Sequence, residues 1–378
     1  MKGYKKILCY MIVTIFLAGT FPLKSQAQGE VSARSAILID QRSGRILYEK
    51  DIHEKRRIAS ITKIMTAILA VESGEMNKKV KVSREAIQTE GSAIYLEENE
   101  KILLEDLVYG LMLRSGNDAA EAIAEHVGGS KEGFVYLMNQ KAAEIGMQNT
   151  EFANPHGLDD HENHYSTAYD MAILMKYAMN SKKFREISGT KTYRTKSGAH
   201  VRVFKNKNKL LTSLYPYTTG GKTGYTKRAK RTLVSSAQKD GLDLIAVTIN
   251  APSDWDDHIY MYNMGFDNYK ATKVVQEGEI EGVKNKFYED KLYVKRDFIY
   301  PLTEKEQEKV KTKLTLLKPR KKEWKDERNV PQIVGKISIS LDGKALGEMP
   351  IYYDHGGKET GSFFEKAKEL FFIGQGVR

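Results

Sequence analysis

Cysteine is almost missing from this sequence: the single one among 378 residues is Cys9. It lies early in an apolar run and not at the end of that run, so it is not placed like a lipidated cysteine at a cleavage site. One thiol cannot form a disulfide within the chain, which excludes a disulfide-stapled fold. Low-complexity tracts and internal repeats are also lacking, and 41% of the residues are hydrophobic. The composition therefore predicts a globular protein that is long enough for more than one domain.

Acidic residues are absent from the first 27 positions, where lysines precede an apolar run from Ile7 to Phe21 and Ser25-Gln-Ala27 follows it. This order predicts a secretory signal peptide over residues 1–27 that is cut after Ala27. An uncut membrane anchor is the alternative, but the run is shorter than the roughly 20 residues that a spanning helix needs. Removing the segment takes four lysines from the total charge of +11 and leaves +7. An exported basic protein favours anionic wall polymers or phospholipids as partners, and not nucleic acid.

The order of strand and helix patterns indicates the first domain. Ser35–Asp40 and Arg45–Tyr48 are apolar, β-rich runs, and the turn residues between them predict a hairpin with two edge strands of a sheet. Helical patterns dominate from Ser60 to about Met179. A sheet covered on both sides by helices is the simplest architecture for this order, so the predicted fold class is α/β of the α+β kind. Further strands are predicted at 220–226, 231–237 and 242–250, and a closing helix at 255–269.

The pattern changes beyond Lys273, where apolar and charged residues alternate as they do in half-exposed strands. Asp342-Gly343 is a strong hairpin-turn signal. The sequence therefore predicts a small all-β domain over residues 274–357, behind a first domain over residues 28–273. The runs that predict its strands are Phe287-Tyr288, Leu292–Val294, Leu314–Leu316 and Ile337–Ile339.

Residues 358–378 predict an amphipathic helix. Ser362 begins a capping box with Glu365, and Gly374 is a natural stop. The stretch is too short to span a bilayer, so we expect it to lie in the interface of an anionic membrane. A helix packed on the β domain is the alternative. The apolar residues at helical spacing are Phe363, Phe364, Ala367, Leu370 and Phe371.

Three short motifs occur in order along the first domain: Ser60-Ile-Thr-Lys63, Ser115-Gly-Asn117 and Lys222-Thr-Gly224. Each alone is a weak signal, since Ser-x-x-Lys arises by chance about once in a chain of this length. Their combination and order match the set of a serine acyl-transferase of the penicillin-binding type. A plain turn with a helix cap at Asn117 is the alternative interpretation of the second motif.

The chemistry of acyl transfer explains these residue types. A serine hydroxyl is a poor nucleophile at neutral pH, so Ser60 needs a neighbouring base and a site for the developing oxyanion. Lys63 shares a helix face with Ser60 and can be that base only when its amine is neutral. Burial and a second cation, Lys222, both lower the pKa of that amine. The strand that contains Lys222-Thr-Gly224 offers small residues at a sheet edge, where a peptide can lie as an added strand.

The sequence resembles the low-molecular-mass penicillin-binding proteins, the serine D-alanyl-D-alanine carboxypeptidases, and among them the sporulation-type enzymes of endospore-forming bacteria. The resemblance covers nearly the whole chain after the signal peptide and is carried by Arg57–Thr66, Leu113–Ala119, Asn154–Leu158 and Thr219–Thr226. It implies a transpeptidase/β-lactamase-like catalytic domain, a β-rich domain behind it and a C-terminal amphipathic anchor.

The family pattern implies a role for each motif residue. Ser60 is the acylated nucleophile, Lys63 its general base and Ser115 a proton shuttle to the leaving D-alanine. Some relatives bind the terminal carboxylate with an arginine near the end of the next strand, whereas this chain has Gly241-Leu-Asp-Leu244 there. The implied substrate-binding residues are Asn117 for the amide, Lys222 for the local field, Thr223 for the carboxylate, Gly224 on the same strand, and Tyr225, whose N–H completes an oxyanion hole with that of Ser60.

The predicted function is removal of the terminal D-alanine from peptidoglycan pentapeptides, which limits cross-linking, with the spore cortex as a more specific setting. Stem peptides are the expected partners and β-lactams the expected covalent inhibitors, at the outer face of the cell membrane or of the forespore membrane. A D,D-endopeptidase, a secreted β-lactamase and a non-enzymatic wall-binding protein are the alternatives. Class A β-lactamases need a deacylating glutamate, and no Glu-x-x-x-Asn lies between the second and third motifs.

No metal and no cofactor are expected. His156, His161 and His164 lie close in sequence to Asp159 and Asp160, but their spacing matches no common zinc pattern. A polar loop beneath the cleft is the preferred interpretation, with Asp170 capping or ordering that loop.

Overall fold

The computed structural model describes residues 31–320 and 322–356. The predicted signal peptide, Cys9 and the predicted C-terminal amphipathic helix lie outside the described residues. Within the described part of the chain, no helix is both long enough and apolar enough to cross a membrane.

The strands of the described residues build two main sheets. The first has the order β2-β1-β9-β8-β7 and the second the order β11-β12-β16-β15-β14, while β3-β4, β5-β6 and β10-β13 form two-stranded sheets. Neighbouring strands pair antiparallel throughout the first sheet. The strands are β1 (Ser35–Asp40), β2 (Ile46–Lys50), β3 (Lys79–Lys81), β4 (Lys101–Leu103), β5 (Thr192–Arg194), β6 (Val203–Lys205), β7 (Thr218–Thr226), β8 (Lys230–Lys239), β9 (Leu242–Ile249), β10 (Lys270–Val275), β11 (Gly278–Glu279), β12 (Leu292–Val294), β13 (Phe298–Leu302), β14 (Val310–Leu316), β15 (Ile333–Leu341) and β16 (Lys344–Tyr353).

Most helices of the described residues lie between β2 and β10 in the chain. The α-helices are α1 (Lys63–Glu72), α2 (Arg84–Ile87), α3 (Leu104–Tyr109), α4 (Asn117–Gly128), α5 (Lys131–Glu144), α6 (Ala168–Ala178), α7 (Lys182–Ser188), α8 (Asp254–Asn268) and α9 (Glu304–Gln307). Shorter 3-10 turns lie at Ala59–Thr62, Glu323–Lys325 and Glu327–Asn329, and single π turns at Gly110–Arg114 and Leu210–Leu214. The predicted strands at 220–226, 231–237 and 242–250 and the predicted closing helix are thus confirmed as β7, β8, β9 and α8.

The two faces of the first sheet pack against different helices, as predicted. Ile245 and Val247 of β9 belong to the large apolar core that also contains residues of α1, α4 and α6. On the opposite face, Thr248 contacts His258 of α8, with 3.1 Å between Oγ1 and Nε2. Residues alternate between the faces along a strand, so β9 is apolar at nearly every position and buried on both sides.

The prediction that both strands of the first hairpin lie at a sheet edge is wrong for β1. β1 pairs with β2 on one side and with β9 on the other, and all six of its residues are buried. Its unbroken apolar run, Ala36 to Ile39, is typical of a strand that is covered on both faces. The edges of the sheet are β2 and β7.

The second sheet forms the predicted all-β part, and its hairpin turn is confirmed at Asp342-Gly343. Both residues have positive φ, 48° and 82°, as a two-residue type I′ turn requires. The strand predicted at Phe287-Tyr288 is wrong, because both residues lie in a turn. The Asn285 side chain accepts a hydrogen bond from the Phe287 N–H at 3.0 Å, and such local bonds compete with strand pairing. The two rings pack into the core of this sheet instead.

Candidate active site

Ser60 lies in the 3-10 turn that leads into α1, and Lys63 is the first residue of that helix. The sequence predicted both at a helix start, and the three-residue spacing brings Lys63 Nζ to 3.0 Å from Ser60 Oγ. Ala59, directly before the serine, has φ of +50°. A residue with a Cβ is strained in this region, and such strain persists only where the surroundings hold it.

Three uncharged oxygens surround the amine of Lys63, which is fully buried. Besides Ser60 Oγ they are Asn117 Oδ1 and the carbonyl oxygen of His156, each at 2.7 Å. Asn117 Nδ2 donates to the carbonyl of Glu90, which determines that its oxygen faces the lysine. A neutral amine has two N–H groups and one lone pair, so the two carbonyl acceptors turn the lone pair towards the serine hydroxyl.

The second motif enters the site from the junction between a π turn and α4. Ser115 has a left-handed backbone, with φ of 65°, and is buried with its Oγ 3.1 Å from Lys222 Nζ. Asn117 is the first residue of α4, and the cap position is Gly116. The alternative of a cap at Asn117 is therefore wrong, because its side chain is directed to Lys63.

The third motif lies on β7, the strand at the edge of the first sheet. Lys222 is buried, Thr223 and Gly224 are half-buried, and the side chain of Tyr225 is 63% exposed. A Cβ on Gly224 would lie 2.9 Å from the backbone nitrogen of Ser60. The glycine therefore keeps the serine N–H accessible beside the free strand edge, where an extended peptide can pair.

The sequence model described as D-alanyl-D-alanine carboxypeptidase, of the S11 peptidases, matches residues 23–253. The chain belongs to this family. A second model, described as the penicillin-binding protein 5 C-terminal domain, matches residues 269–358.

Curated relatives of this carboxypeptidase family extend over nearly the whole chain. D-alanyl-D-alanine carboxypeptidase DacF of Bacillus subtilis is 32% identical, over 94% of this chain and 96% of its own length. DacC of Escherichia coli is 30% identical, over 88% of this chain and 86% of its own length. Among solved structures, penicillin binding protein 5 of Haemophilus influenzae is 28% identical with a TM-score of 0.69, over 86% of this chain and 97% of that one.

Two buried amines give the site of this carboxypeptidase family member its electrostatic character. Burial, and then the positive charge of Lys207, lower the pKa of Lys222 to about 7. Burial, and then the charges of Lys222 and Lys207, lower the pKa of Lys63 well below its ordinary value. Each cause disfavours the charged amine. The site therefore favours a neutral lysine beside Ser60 at a pH where an exposed lysine is charged.

Lys207 is a charge near the site that the sequence motifs did not reveal. It lies between β6 and the Leu210–Leu214 turn, and its amine is 3.2 Å from Ser92 Oγ. It shares no motif with the other lysines, and only the fold brings it close to them.

A Lys207→Met variant tests this electrostatic role. Removing the charge raises the pKa of both buried amines, so less of Lys63 is neutral at a given pH. We expect the pH at which the acylation rate rises to become higher, and the acylation rate at pH 7 to fall several-fold. The measurement is the penicillin acylation rate between pH 5 and 10. Lys205→Met, at an exposed position of β6 two residues away, is the matched control. An unshifted pH dependence for Lys207→Met would contradict the role.

The histidines of the loop that follows α5 do not point to a common centre, and no group of metal-ligating side chains is found among the described residues. His156 and His164 are buried, and their Nδ1 atoms accept hydrogen bonds from the backbone N–H groups of Leu158 and Ala153, at 3.2 and 3.1 Å. His161 is exposed, and its carbonyl accepts from Arg57. As predicted, Asp170 orders this loop, because its Oδ2 accepts from the N–H of Asn149 at 2.8 Å.

Proposed function

We propose that the chain is a serine D-alanyl-D-alanine carboxypeptidase that removes the terminal D-alanine from peptidoglycan pentapeptides through an acyl-enzyme on Ser60. The observation that carries the proposal is the 3.0 Å contact of Ser60 Oγ with Lys63 Nζ, whose two N–H groups donate to two carbonyl oxygens. Membership of the carboxypeptidase family supports it.

In the proposed acylation, neutral Lys63 takes the hydroxyl proton of Ser60 while Oγ bonds to the carbonyl carbon of the penultimate D-alanine. The carbonyl oxygen becomes an oxyanion between the N–H groups of Ser60 and Tyr225. As the peptide C–N bond breaks, the proton taken up by Lys63 passes to the leaving amine through Ser115, whose Oγ is 3.1 Å from Lys222 Nζ, and Lys63 is neutral again. Water then attacks the ester carbonyl carbon while Lys63 takes one of its protons. As the ester C–O bond breaks, that proton passes to Ser60 Oγ, which releases the shortened peptide and restores the serine.

The free edge of β7 supports the binding mode. A stem peptide can lie along Thr223–Tyr225 as an added strand, with its terminal carboxylate at the Thr223 hydroxyl and its reactive carbonyl beside Ser60. Gly224 has no side chain to separate the strand from the Ser60 N–H. Lys222 supplies positive charge beneath the same edge, which favours an anionic chain end.

The deciding experiment is mass spectrometry of pentapeptide and of isolated peptidoglycan after digestion with the purified chain from residue 28. We expect release of one D-alanine per pentapeptide and a stable penicillin ester on Ser60, located by peptide mapping. Loss of cross-links without release of D-alanine would replace the proposal with a D,D-endopeptidase. A penicillin ester that forms without either reaction would indicate a binding protein.

We further propose that the protein acts outside the cytoplasm, on the outer face of a membrane, and that its amphipathic segment 358–378 lies in the membrane interface. The substrate is a polymer of the wall, and the basic character of the chain favours anionic lipid. A role in the spore cortex, at the forespore membrane, rests on the resemblance to sporulation-type enzymes and is consistent with the 32% identity to DacF.

Truncation tests the anchor, and the described structure shows where to cut. Tyr353 and His355 are buried, so the chain should end after Gly356 and not earlier. We expect residues 28–378 to sediment with phosphatidylglycerol vesicles and residues 28–356 to remain in the supernatant, with equal penicillin binding by both. Equal sedimentation of the two forms would exclude the anchor and direct attention to the exposed basic residues Lys318, Arg320 and Lys322.

A further inference from the structure

A chain of hydrogen bonds leads from the loop beneath the cleft to the peptide bond in front of the nucleophile. Thr62 Oγ1 donates to the carbonyl oxygen of Ala59 at 2.8 Å and lies 2.8 Å from His164 Nε2. His164 Nδ1 accepts from the N–H of Ala153 at 3.1 Å. Thr62 and His164 are buried.

The donor and the acceptor of each of these hydrogen bonds can be assigned. A backbone N–H can only donate, so Nδ1 of His164 is the acceptor and the ring proton is on Nε2. Nε2–H therefore donates to Thr62, and the threonine proton is left for the carbonyl of Ala59. Burial, and then the charge of Arg57, lower the pKa of His164 to about 3, which keeps this ring neutral and its single proton on Nε2.

The carbonyl that receives this proton belongs to the same planar group as the Ser60 N–H. In a trans peptide the C=O and N–H bonds point in opposite directions, and no peptide bond in the described residues is cis. Holding the Ala59 oxygen on one side therefore aims the Ser60 N–H to the other side, where β7 and its Gly224 lie.

The strained backbone at Ala59 explains why hydrogen bonds are needed to fix the neighbouring peptide groups. Its φ of +50° separates two peptide groups, and both are held by threonine hydroxyls. Thr232 of β8 donates to the carbonyl of Ile58 at 3.0 Å, and Thr62 donates to that of Ala59. A Cβ on Gly157 would lie 2.0 Å from the Ala59 oxygen, so the loop backbone closes the remaining side of this carbonyl.

We infer that Thr62 and His164 are positioning residues that aim the N–H of Ser60 at the carbonyl oxygen of the substrate. The inference rests on the proposed acyl-enzyme function and adds two residues to it, neither of which touches the reacting atoms.

Thr62→Val tests the inference, because valine keeps the shape and removes the hydroxyl. We expect the acylation rate at saturating penicillin to fall about 10- to 100-fold. Deletion of an oxyanion-hole donor lowers such rates more, by about 10²- to 10³-fold. The penicillin concentration at half saturation should change little. The infrared stretch of the acyl-enzyme ester carbonyl should move to higher frequency, because its hydrogen bond weakens. A purely structural role would not move this band.

Thr66 provides a matched control one turn further along α1. It is also buried, and its Oγ1 donates to the carbonyl of Pro155 in the same loop at 2.6 Å. Thr66→Val should leave the rate and the carbonyl band unchanged. Thr62→Ser, which keeps the hydroxyl, should restore most of the rate. His164→Phe should shift the carbonyl band in the same direction. The double variant Thr62→Val/His164→Phe should be acylated no more slowly than Thr62→Val alone, because both residues act through the same series of hydrogen bonds.

The outcomes separate the inference from the function beneath it. Absence of any penicillin ester on the unaltered protein would refute the proposed function. A normal ester on the unaltered protein, with rate and band equal in Thr62→Val and Thr66→Val, would refute the inference alone. If Thr62→Val does not fold, the comparison of His164→Phe with Thr66→Val decides the question in the same way.

Discussion

Lys63→Ala is expected to slow penicillin acylation of Ser60 by at least about 10⁴-fold, because loss of either member of a nucleophile and base pair costs nearly as much as loss of both. In the structure, Lys63 Nζ is in hydrogen-bond contact with Ser60 Oγ, and two carbonyl oxygens accept the two N–H groups of the neutral amine. No water can reproduce both that orientation and the lowered pKa of the buried amine. The measurement is the rate of fluorescent penicillin incorporation.

Two further variants make this result interpretable. Ser60→Ala should take up no penicillin at all, which sets the background of the assay. Lys176→Ala removes another amine whose pKa is lowered by burial, next to Gly44 on the first hairpin, and should be acylated like the unaltered protein. Acylation of Lys63→Ala at the rate of Lys176→Ala would mean that a different group takes the proton of Ser60.

Gly224→Ala is the second change with a large expected effect, a fall in acylation rate of about 10²- to 10³-fold. The added methyl group would lie 2.9 Å from the backbone nitrogen of Ser60 and 3.1 Å from that of Ile61. It would occupy the space in which the proposed oxyanion forms, so the transition state loses a donor. Stopped-flow acylation and the thermal midpoint of unfolding should be measured together.

A double variant separates this occlusion from simple crowding. The nearest atom to the new methyl group is Thr232 Oγ1, at 2.4 Å, and Thr232→Ala removes that clash. Thr232 also donates to the carbonyl of Ile58, so Thr232→Ala alone is the reference for this comparison. We expect Gly224→Ala/Thr232→Ala to match Thr232→Ala in thermal midpoint while its acylation stays about 10²- to 10³-fold slower. Recovery of the rate would show that crowding against β8, and not loss of the Ser60 N–H, causes the defect.

The motifs were readable in the sequence because chemistry constrains both residue type and local spacing. Ser60 and Lys63 are three residues apart on one helical turn, so their contact follows from local geometry alone. The Asp342-Gly343 turn was readable for a similar reason, since both positions need positive φ. The roles of the individual site residues, and the domain boundaries at residues 27, 273 and 357, stay predictions.

Other features escaped prediction because they depend on neighbours that are distant in sequence. Phe287-Tyr288 has the composition of a strand, but the Asn285 side chain bonds locally and the core of the second sheet takes up both rings. The sequence of β1 predicts one strand of an exposed hairpin, but in the fold its second edge pairs with β9, which lies more than two hundred residues later. The hydrophobic pattern of a strand indicates which of its faces are buried, but it does not indicate which strands pair with its edges.

Local patterns were thus sufficient for the family, the contact between Ser60 and Lys63, the class of fold and the existence of a second, β-rich part. The tertiary structure alone revealed that the charge of Lys207 acts on the buried amine of Lys63, that the His156 carbonyl accepts from that amine, and that His164 contacts Thr62, two residues after Ser60. The physical reason is that hydrogen bonds and Coulomb interactions act over a few ångströms in space. Residues that are a hundred positions apart become neighbours only when the chain has folded.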